Sequence, residues 1–540
     1  MLILWLYWFE HLIFTLFLVI VLSIWGKEGF RGVAKIFVQA VRKIPAFNNL
    51  LSSILKKEVK NFVGTIKNTE SDKSAAQPKV SLPKKGISHE ELLKEMTKIK
   101  ADDQDPSSGK LFAYVYTNEN GHFDIQKEAY ELFSEKTGYD GDHDKLVKEF
   151  YYAFMHENAL NPMVFPSLRR FENEIVSMTA SMLNGDDQVC GSLTSGGTES
   201  ILMAMKAYRH RALKLFPHIT NPEMVAPITI HPAHEKAASY FGFKIVHIPI
   251  DENCLPNMEK YEEAINANTI ALLSSAPQYC HGVIDPIEDI AKLANKYDLP
   301  LHVDACFGGF MLPWVEKLGY NIPPFDFRVK GVTSMSADVH KYGFGAKGAS
   351  VVLYNTAELR KYQMFAYAEW PGGLFGSPSM AGTRPGGNIA AAWAALKAMG
   401  QDGYLSMAKG LMETTSYLIE KINSIEGLTI MSKPHMTAFA FTSTDPSVCI
   451  YSLADALEEK GWKTERQQNP PSLHCTIMPN HAQVKEKLVE DIEYCIKTTK
   501  GKKDLAKKGT AGVYGMVGTI PDKSIVEDFL IEFFCQIYKS

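Results

Sequence analysis

Cysteine is scarce in this chain and follows no pattern. Eight thiols are spread through 540 residues, with no Cys-x-x-Cys pair and no spacing that suits a metal. This argues against a disulfide framework and a zinc module, and fits reduced thiols in a cytosolic domain. An excess of one charge is missing too. The 57 basic and 61 acidic side chains leave a net charge of −4, so no nucleic-acid partner is expected. There is no internal repeat, which argues against a solenoid. Two motif-like strings fail on context. Gly343-Phe-Gly345-Ala-Lys-Gly348 spells a dinucleotide loop but precedes the strand-like Ala349–Tyr354 instead of opening a helix. Asp140-Gly-Asp142-His-Asp144 begins like a calcium loop, but Lys145 and Tyr151 occupy the positions that need Gly and Glu.

What the chain has is a hydrophobic content of 46%, enough for a sizeable core, and a length that allows more than one folding unit. It also has one long apolar run. Leu2–Trp25 is interrupted only by Glu10 and His11, and ~20 such residues span a bilayer. The run has no basic start and no small-residue cleavage site, so a signal peptide is the weaker reading. Lys27, Arg31, Lys35, Arg42 and Lys43 follow it and no basic residue precedes it, which predicts a single pass with the rest of the chain in the cytoplasm. A shorter, partly interfacial anchor over Leu12–Trp25 is the alternative. Gly29–Phe62 alternates basic and apolar positions, as a helix on the bilayer or a plain connector would. Asn68–Lys85, with Pro78 and Pro83, reads as a linker.

The chemistry is concentrated further on. In Ser336-Ala-Asp-Val-His340-Lys341-Tyr342-Gly343, a lysine follows a histidine just past the apolar Val332–Met335. That placement suits a lysine that forms a Schiff base with pyridoxal phosphate, although a lone His-Lys pair is usually a solvated surface. Three other segments support it. Asp304 closes the strand-like Leu299–Val303, where an acid can hold the pyridine nitrogen protonated. Thr194-Ser-Gly-Gly197-Thr198-Glu-Ser precedes the helix-like Ile201–Leu215, as a phosphate loop would. His231-Pro-Ala-His234 follows the strand-like Pro227–Ile230 and offers a ring to stack on the cofactor. The segments between read as helices, for example Ile287–Tyr297, so the alternation predicts βαβ units and a mainly parallel sheet. A smaller C-terminal α+β domain is expected from the strand-like Leu428–Met431 and Ala438–Thr442 and the amphipathic Ile450–Lys460. The predicted division is an anchor over 1–26, a juxtamembrane helix and linker over 27–86, an N-terminal segment over 87–144, a cofactor-binding large domain over 145–399 and a small domain over 400–540.

From about Lys145 onward the chain resembles the sphingosine-1-phosphate lyases, a branch of the fold-type I, aspartate-aminotransferase-like pyridoxal-phosphate enzymes. The likeness rests on Phe165-Pro-Ser-Leu-Arg-Arg, Ser195-Gly-Gly-Thr-Glu-Ser-Ile-Leu-Met-Ala, Phe325-Asp-Phe-Arg-Val-Lys-Gly-Val-Thr-Ser, Gly382-Thr-Arg-Pro-Gly-Gly and Val513-Tyr514-Gly-Met. The resemblance implies that Lys341 holds the cofactor aldehyde, Asp304 pairs with the pyridinium and His234 stacks on the ring. It gives the cofactor phosphate to Gly197, Thr198 and His340. It assigns Thr383 and Gly386 to a loop that reaches a neighbouring subunit's site, and so a homodimer with shared sites. Asn158, Asn161, Lys347 and Tyr116 would meet the substrate, and Tyr514 would stand near the reacting centre. Asn161 departs from the family's usual histidine, Gly345-Ala346 from its usual Ala-Pro, and the segment 101–144 matches poorly. The implied reaction is retro-aldol C2–C3 cleavage of a phosphorylated long-chain base into phosphoethanolamine and a long-chain aldehyde, at the endoplasmic reticulum membrane. The competing expectations are an amino-acid decarboxylase of the same fold and a membrane-bound scaffold with a decayed site.

Overall fold

Strands of four to seven residues with apolar side chains on both faces form a central sheet, as expected for parallel strands covered by helices on each side. The computed structural model describes residues 49–50, 80–101, 142–502 and, in part, 504–537. The predicted membrane run, all of the juxtamembrane helix and linker except residues 49–50 and 80–86, and Tyr116 lie outside the described residues. The chain divides into two units, Met1–Pro78 and Lys79–Ser540, and every element below belongs to the second.

Seven strands make the main sheet: β1 (Cys190–Thr194), β2 (Glu223–Pro227), β3 (Lys244–Ile248), β4 (Thr269–Ser275), β5 (Leu301–Asp304), β6 (Val332–Ala337) and β7 (Ser350–Tyr354). Their order is β1-β7-β6-β5-β4-β2-β3, and only β7 runs antiparallel to its neighbours. Alternation along a strand feeds two cores. Val225 of β2 faces the cluster built around Phe171, Trp393 and Leu301, whereas Met224 and Ala226 face the one built around Tyr208 and Ile270. A hairpin follows, β8 (Phe365–Tyr367) and β9 (Phe375–Ser377). A second, antiparallel sheet is made of β10 (Leu428–Ile430), β11 (Ala438–Ser443), β12 (Glu465–Gln467) and β13 (Ser472–Thr476), in the order β10-β11-β13-β12.

The helices used here are α1 (His89–Lys100), α2 (Asp142–Ala153), α3 (Pro166–Met182), α4 (Gly197–Leu215), α5 (Ala233–Phe241), α6 (Ile287–Lys296), α7 (Gly386–Ser424), α8 (Ile450–Glu459), α9 (Lys485–Thr499) and α10 (Ser524–Ile537). α1 starts on a capping box, in which Ser88 Oγ accepts from Glu91 N and Glu91 Oε2 accepts from Ser88 N, both at 3.3 Å. α7 kinks at Gly400, whose φ of 56° lies in the left-handed region. A Cβ there would come within 2.7 Å of Gly86 N, so only glycine lets the incoming chain cross at the kink. Pro227–Ile230 departs from the expected strand. β2 stops at Pro227 because Ile230 N turns back onto Pro227 O at 3.1 Å, so His231 follows a turn.

Candidate active site

The C-terminal ends of β1, β4, β5 and β6 open on one cleft of about 670 Å³, where an open α/β sheet usually binds its ligand. Ser195, Gly196, Gly197 and Thr198 line it where β1 turns into α4. A Cβ on Gly197 would lie 2.7 and 2.8 Å from the two carboxylate oxygens of Asp338 and 2.9 Å from Cys306 Sγ, so the helix start packs closely on β6 only as glycine. First-turn amides and the helix dipole make this end a seat for a phosphate.

Asp304, buried at the end of β5, accepts from Cys306 N and Ser336 Oγ, both at 3.0 Å and both on Oδ1. That leaves Oδ2 for a pyridine nitrogen. Burial pushes its carboxyl up, but the fields of His234, His231 and His302, with the Cys306 N–H, outweigh burial and hold it at about 2. Burial also drags His302 down to about 3, so at neutral pH this histidine is uncharged, and the anion relies on its hydrogen bonds.

Lys341 Nζ lies 3.0 Å from Asp338 Oδ2. Burial pulls the ammonium down, yet Asp338, Cys306 and Asp304 together hold it above the ordinary lysine value. His340 Nδ1 accepts from Ala349 N at 3.2 Å, so the ring proton sits on Nε2, which is 3.6 Å from Asp338 Oδ2. Burial, the largest influence, keeps this imidazole below the usual histidine range. On the opposite wall, the Tyr279 ring stacks on His474 at 4.2 Å and its hydroxyl donates to Glu465, which ties the second sheet to the cleft.

The structure places the residues expected from sequence in two groups. Gly197, Thr198, Asp304, His340 and Lys341 line the cleft together. His234 does not. It is fully buried in the first turn of α5, its Nδ1–H donates to His231 O at 3.0 Å, and His231 lines the cleft instead. His231 is therefore the histidine of the pair with a ring at the cleft, because the turn after β2 aims the first histidine outward and the helix start buries the second. Asn158, Thr383 and Gly386 are near one another but outside that lining. Asn158 Oδ1 accepts from Arg384 N at 3.0 Å, Asn158 pairs with Pro385, and Gly386 N donates to Glu157 O at 2.9 Å. Asn161 Oδ1 accepts from Met163 N at 3.1 Å, also outside the lining. Exposed Lys347 donates to His340 O at 3.1 Å. Tyr514 packs on Tyr451 with ring centroids 5.4 Å apart and does not line the cleft. Asp338, Ser336 and Tyr279 were missed from sequence. The one signal for Asp338 is its position three residues before Lys341, close enough to meet it across a single turn.

These residues fit pyridoxal phosphate: an anion seat at a helix start, a carboxylate for a pyridine nitrogen, and a lysine within reach of both. The comparisons agree. The pyridoxal-dependent decarboxylase conserved domain matches residues 141–444, so the chain belongs to that pyridoxal-phosphate-dependent, fold-type I class. Within it, the chain belongs to the sphingosine-1-phosphate lyase family. It is 42% identical over 514 residues to a sphingosine-1-phosphate lyase of Dictyostelium discoideum, covering 94% of this chain and 90% of the relative. It is 39% identical over 521 residues to sphingosine-1-phosphate lyase 1 of Rattus norvegicus, covering 96% and 86%. A solved sphingosine-1-phosphate lyase of Burkholderia pseudomallei superposes with a TM-score of 0.64 at 36% identity, over 84% of this chain and 99% of that one.

Proposed function

We propose that this chain cleaves sphingosine 1-phosphate and related phosphorylated long-chain bases at C2–C3, giving phosphoethanolamine and a long-chain aldehyde. The observation that carries this is the meeting of Lys341, Asp304 and the α4 start in one cleft, in a chain of that family. Pyridoxal phosphate, when bound, supplies an aldehyde for the substrate amine and a ring that accepts the electrons of the breaking bond. Asp304 Oδ2 would keep a ring nitrogen protonated. The Gly197 and Thr198 amides and the His340 Nε2–H would hold a phosphate. His231 would supply a ring to stack on the cofactor. Asp338 keeps a proton on Lys341 Nζ, so Lys341 is the group that can return one to carbon after cleavage. Tyr514 and Tyr116 are given no step.

The Asn158–Thr383–Gly386 cluster completes the site of a second copy in this reading. In support, the nearby hairpin exposes Phe365, Tyr367, Trp370 and Leu374, an apolar surface that a symmetric partner would cover. The N-terminal run tethers the enzyme to the endoplasmic reticulum membrane, facing the cytoplasm, where a single-chain lipid is met at the surface. No helix among the described residues is long and apolar enough to cross a membrane, and the run itself lies outside them.

The test is incubation of cofactor-loaded protein with sphingosine 1-phosphate, with Lys341→Ala beside it. Phosphoethanolamine and aldehyde from the parent, and neither from the variant, are expected. Carbon dioxide from an amino acid, with no lipid cleavage, would sink the lyase reading.

A further inference from the structure

A chain of buried polar side chains runs behind Asp304. The Tyr208 hydroxyl of α4 meets Ser334 Oγ of β6, Ser334 Oγ lies 2.8 Å from His302 Nδ1, and His302 Nε2 lies 3.4 Å from Ser336 Oγ. Ser336 Oγ then donates to Asp304 Oδ1 at 3.0 Å. Tyr208, His302, Ser334 and Ser336 are all fully buried or nearly so, and none of the four lines the cleft. No step of the reaction above uses them.

The proton order in this chain follows from its last member. A carboxylate only accepts, so Ser336 spends its one hydrogen on Asp304 and must accept from His302 Nε2–H. The imidazole is neutral, since burial holds it near 3, so Nδ1 carries a lone pair and accepts from Ser334. Ser334 in turn accepts from Tyr208, whose one hydrogen is shared with Thr333 Oγ1 at 2.9 Å. Every donor therefore faces toward Asp304. Successive bonds of this kind polarise one another, and in a dry interior their effect on the terminal anion is large. Register makes the chain possible: β5 and β6 are parallel, with His302 opposite Ser334 and Asp304 opposite Ser336, so side chains on one face of the pair alternate imidazole, carboxylate and two hydroxyls.

We propose that His302 and Ser336 are positioning residues that fix the Asp304 carboxylate as an anion aimed at the cofactor's ring nitrogen. The inference rests on the cofactor reading above and names what makes Asp304 effective. Neither residue touches the reacting atoms. Their action is on the protonation of the ring nitrogen, through Asp304.

The test uses full-length protein loaded with pyridoxal phosphate isotopically labelled at the ring nitrogen, comparing the parent with Ser336→Ala, His302→Gln and Tyr208→Phe by solid-state NMR and steady-state kinetics. In Ser336→Ala and His302→Gln the ring-nitrogen resonance is expected to move toward its unprotonated position. kcat should fall about 10- to 100-fold, the range seen when outer-shell partners are removed, while KM changes little. Tyr208→Phe should move both in the same direction by less. Ser336→Ala removes a single oxygen, so it remains informative if His302→Gln fails to fold. An unchanged ring-nitrogen resonance in Ser336→Ala overturns the proposal, even if kcat falls. Failure of the parent to take up the cofactor would instead refute the cofactor reading, and this inference with it.

Discussion

Asp338 Oδ2 lies 3.0 Å from Lys341 Nζ, three residues on in the turn that follows β6, and the other oxygen of Asp338 is buried with no partner among the described residues. The pair fixes the charge of the nucleophile. Capture of an aldehyde needs the neutral amine, and Asp338 opposes that form by holding the proton on Lys341. Asp338→Asn removes the negative charge and keeps the shape. Lys341 should then titrate lower, and the pH at which cofactor uptake is half-maximal should move down by about one unit or more. Stopped-flow absorbance during reconstitution measures it, and an unmoved midpoint would show that Asp338 does not govern Lys341.

His231 and His234 should separate cleanly on mutation. His231 lines the cleft, so His231→Ala should weaken cofactor affinity roughly 3- to 10-fold, the worth of one aromatic contact, with little change in Tm. His234 is wholly buried, so His234→Ala should cost about 2 kcal/mol of stability and lower Tm while leaving cofactor affinity in the protein that remains folded nearly as it was. Cofactor titration alongside calorimetry distinguishes the two, and the reverse pattern would restore His234 as the stacking residue.

Gly197→Ala tests the phosphate seat. The added methyl would sit 2.7 Å from Asp338 Oδ2 with Cys306 Sγ at 2.9 Å, and neither neighbour is a flexible chain end. Overpacking of this kind costs about 1–3 kcal/mol. Dialysis should strip the cofactor from this variant far faster than from the parent. Equal retention would mean that the helix start does not bear on the cofactor.

Asp285 predicts a pH dependence of stability. Its Oδ2 accepts from Ser275 N at 2.7 Å, its Oδ1 is buried with no partner among the described residues, and burial, reinforced by the Asp304 charge, raises its carboxyl to about 7. The folded state thus binds this proton more tightly than the unfolded one, whose carboxyl titrates near ~3.9. Stability from this group is present below that lower value and is lost as pH rises through about 7. Asp285→Asn keeps the Ser275 bond, needs no proton, and should flatten the Tm–pH curve between about 4 and 7. A variant curve parallel to the parent's would refute this.

Much of the site was legible because each part ends a local pattern. Asp304 closes an apolar strand, Lys341 follows another, and Gly197-Thr198 opens a long helix, so strand, turn and helix signals alone place them at the same edge of a parallel sheet. The rest was not legible because its cause is non-local. His231 and His234 lie three residues apart, and only the turn after β2 decides which one faces the cleft. Tyr279 reaches the cleft wall because β12 and β13 of the second sheet hold its hydroxyl and ring, residues nearly two hundred positions away. Asn158 and Arg384 are distant in sequence and meet only because the chain before α3 pairs with the chain entering α7.

The sequence by itself determined the chemistry available to this protein: a nucleophilic lysine, an acid at a strand end, a glycine-rich helix start and an apolar N-terminal run, all read from side-chain type and short-range period. Tertiary structure decided which of those groups share a cleft and how they are charged. Charge state depends on burial and on neighbours within a few ångströms. Ser336 beside Asp304, and Ser334 beside His302, became neighbours only when parallel strands in register brought them together.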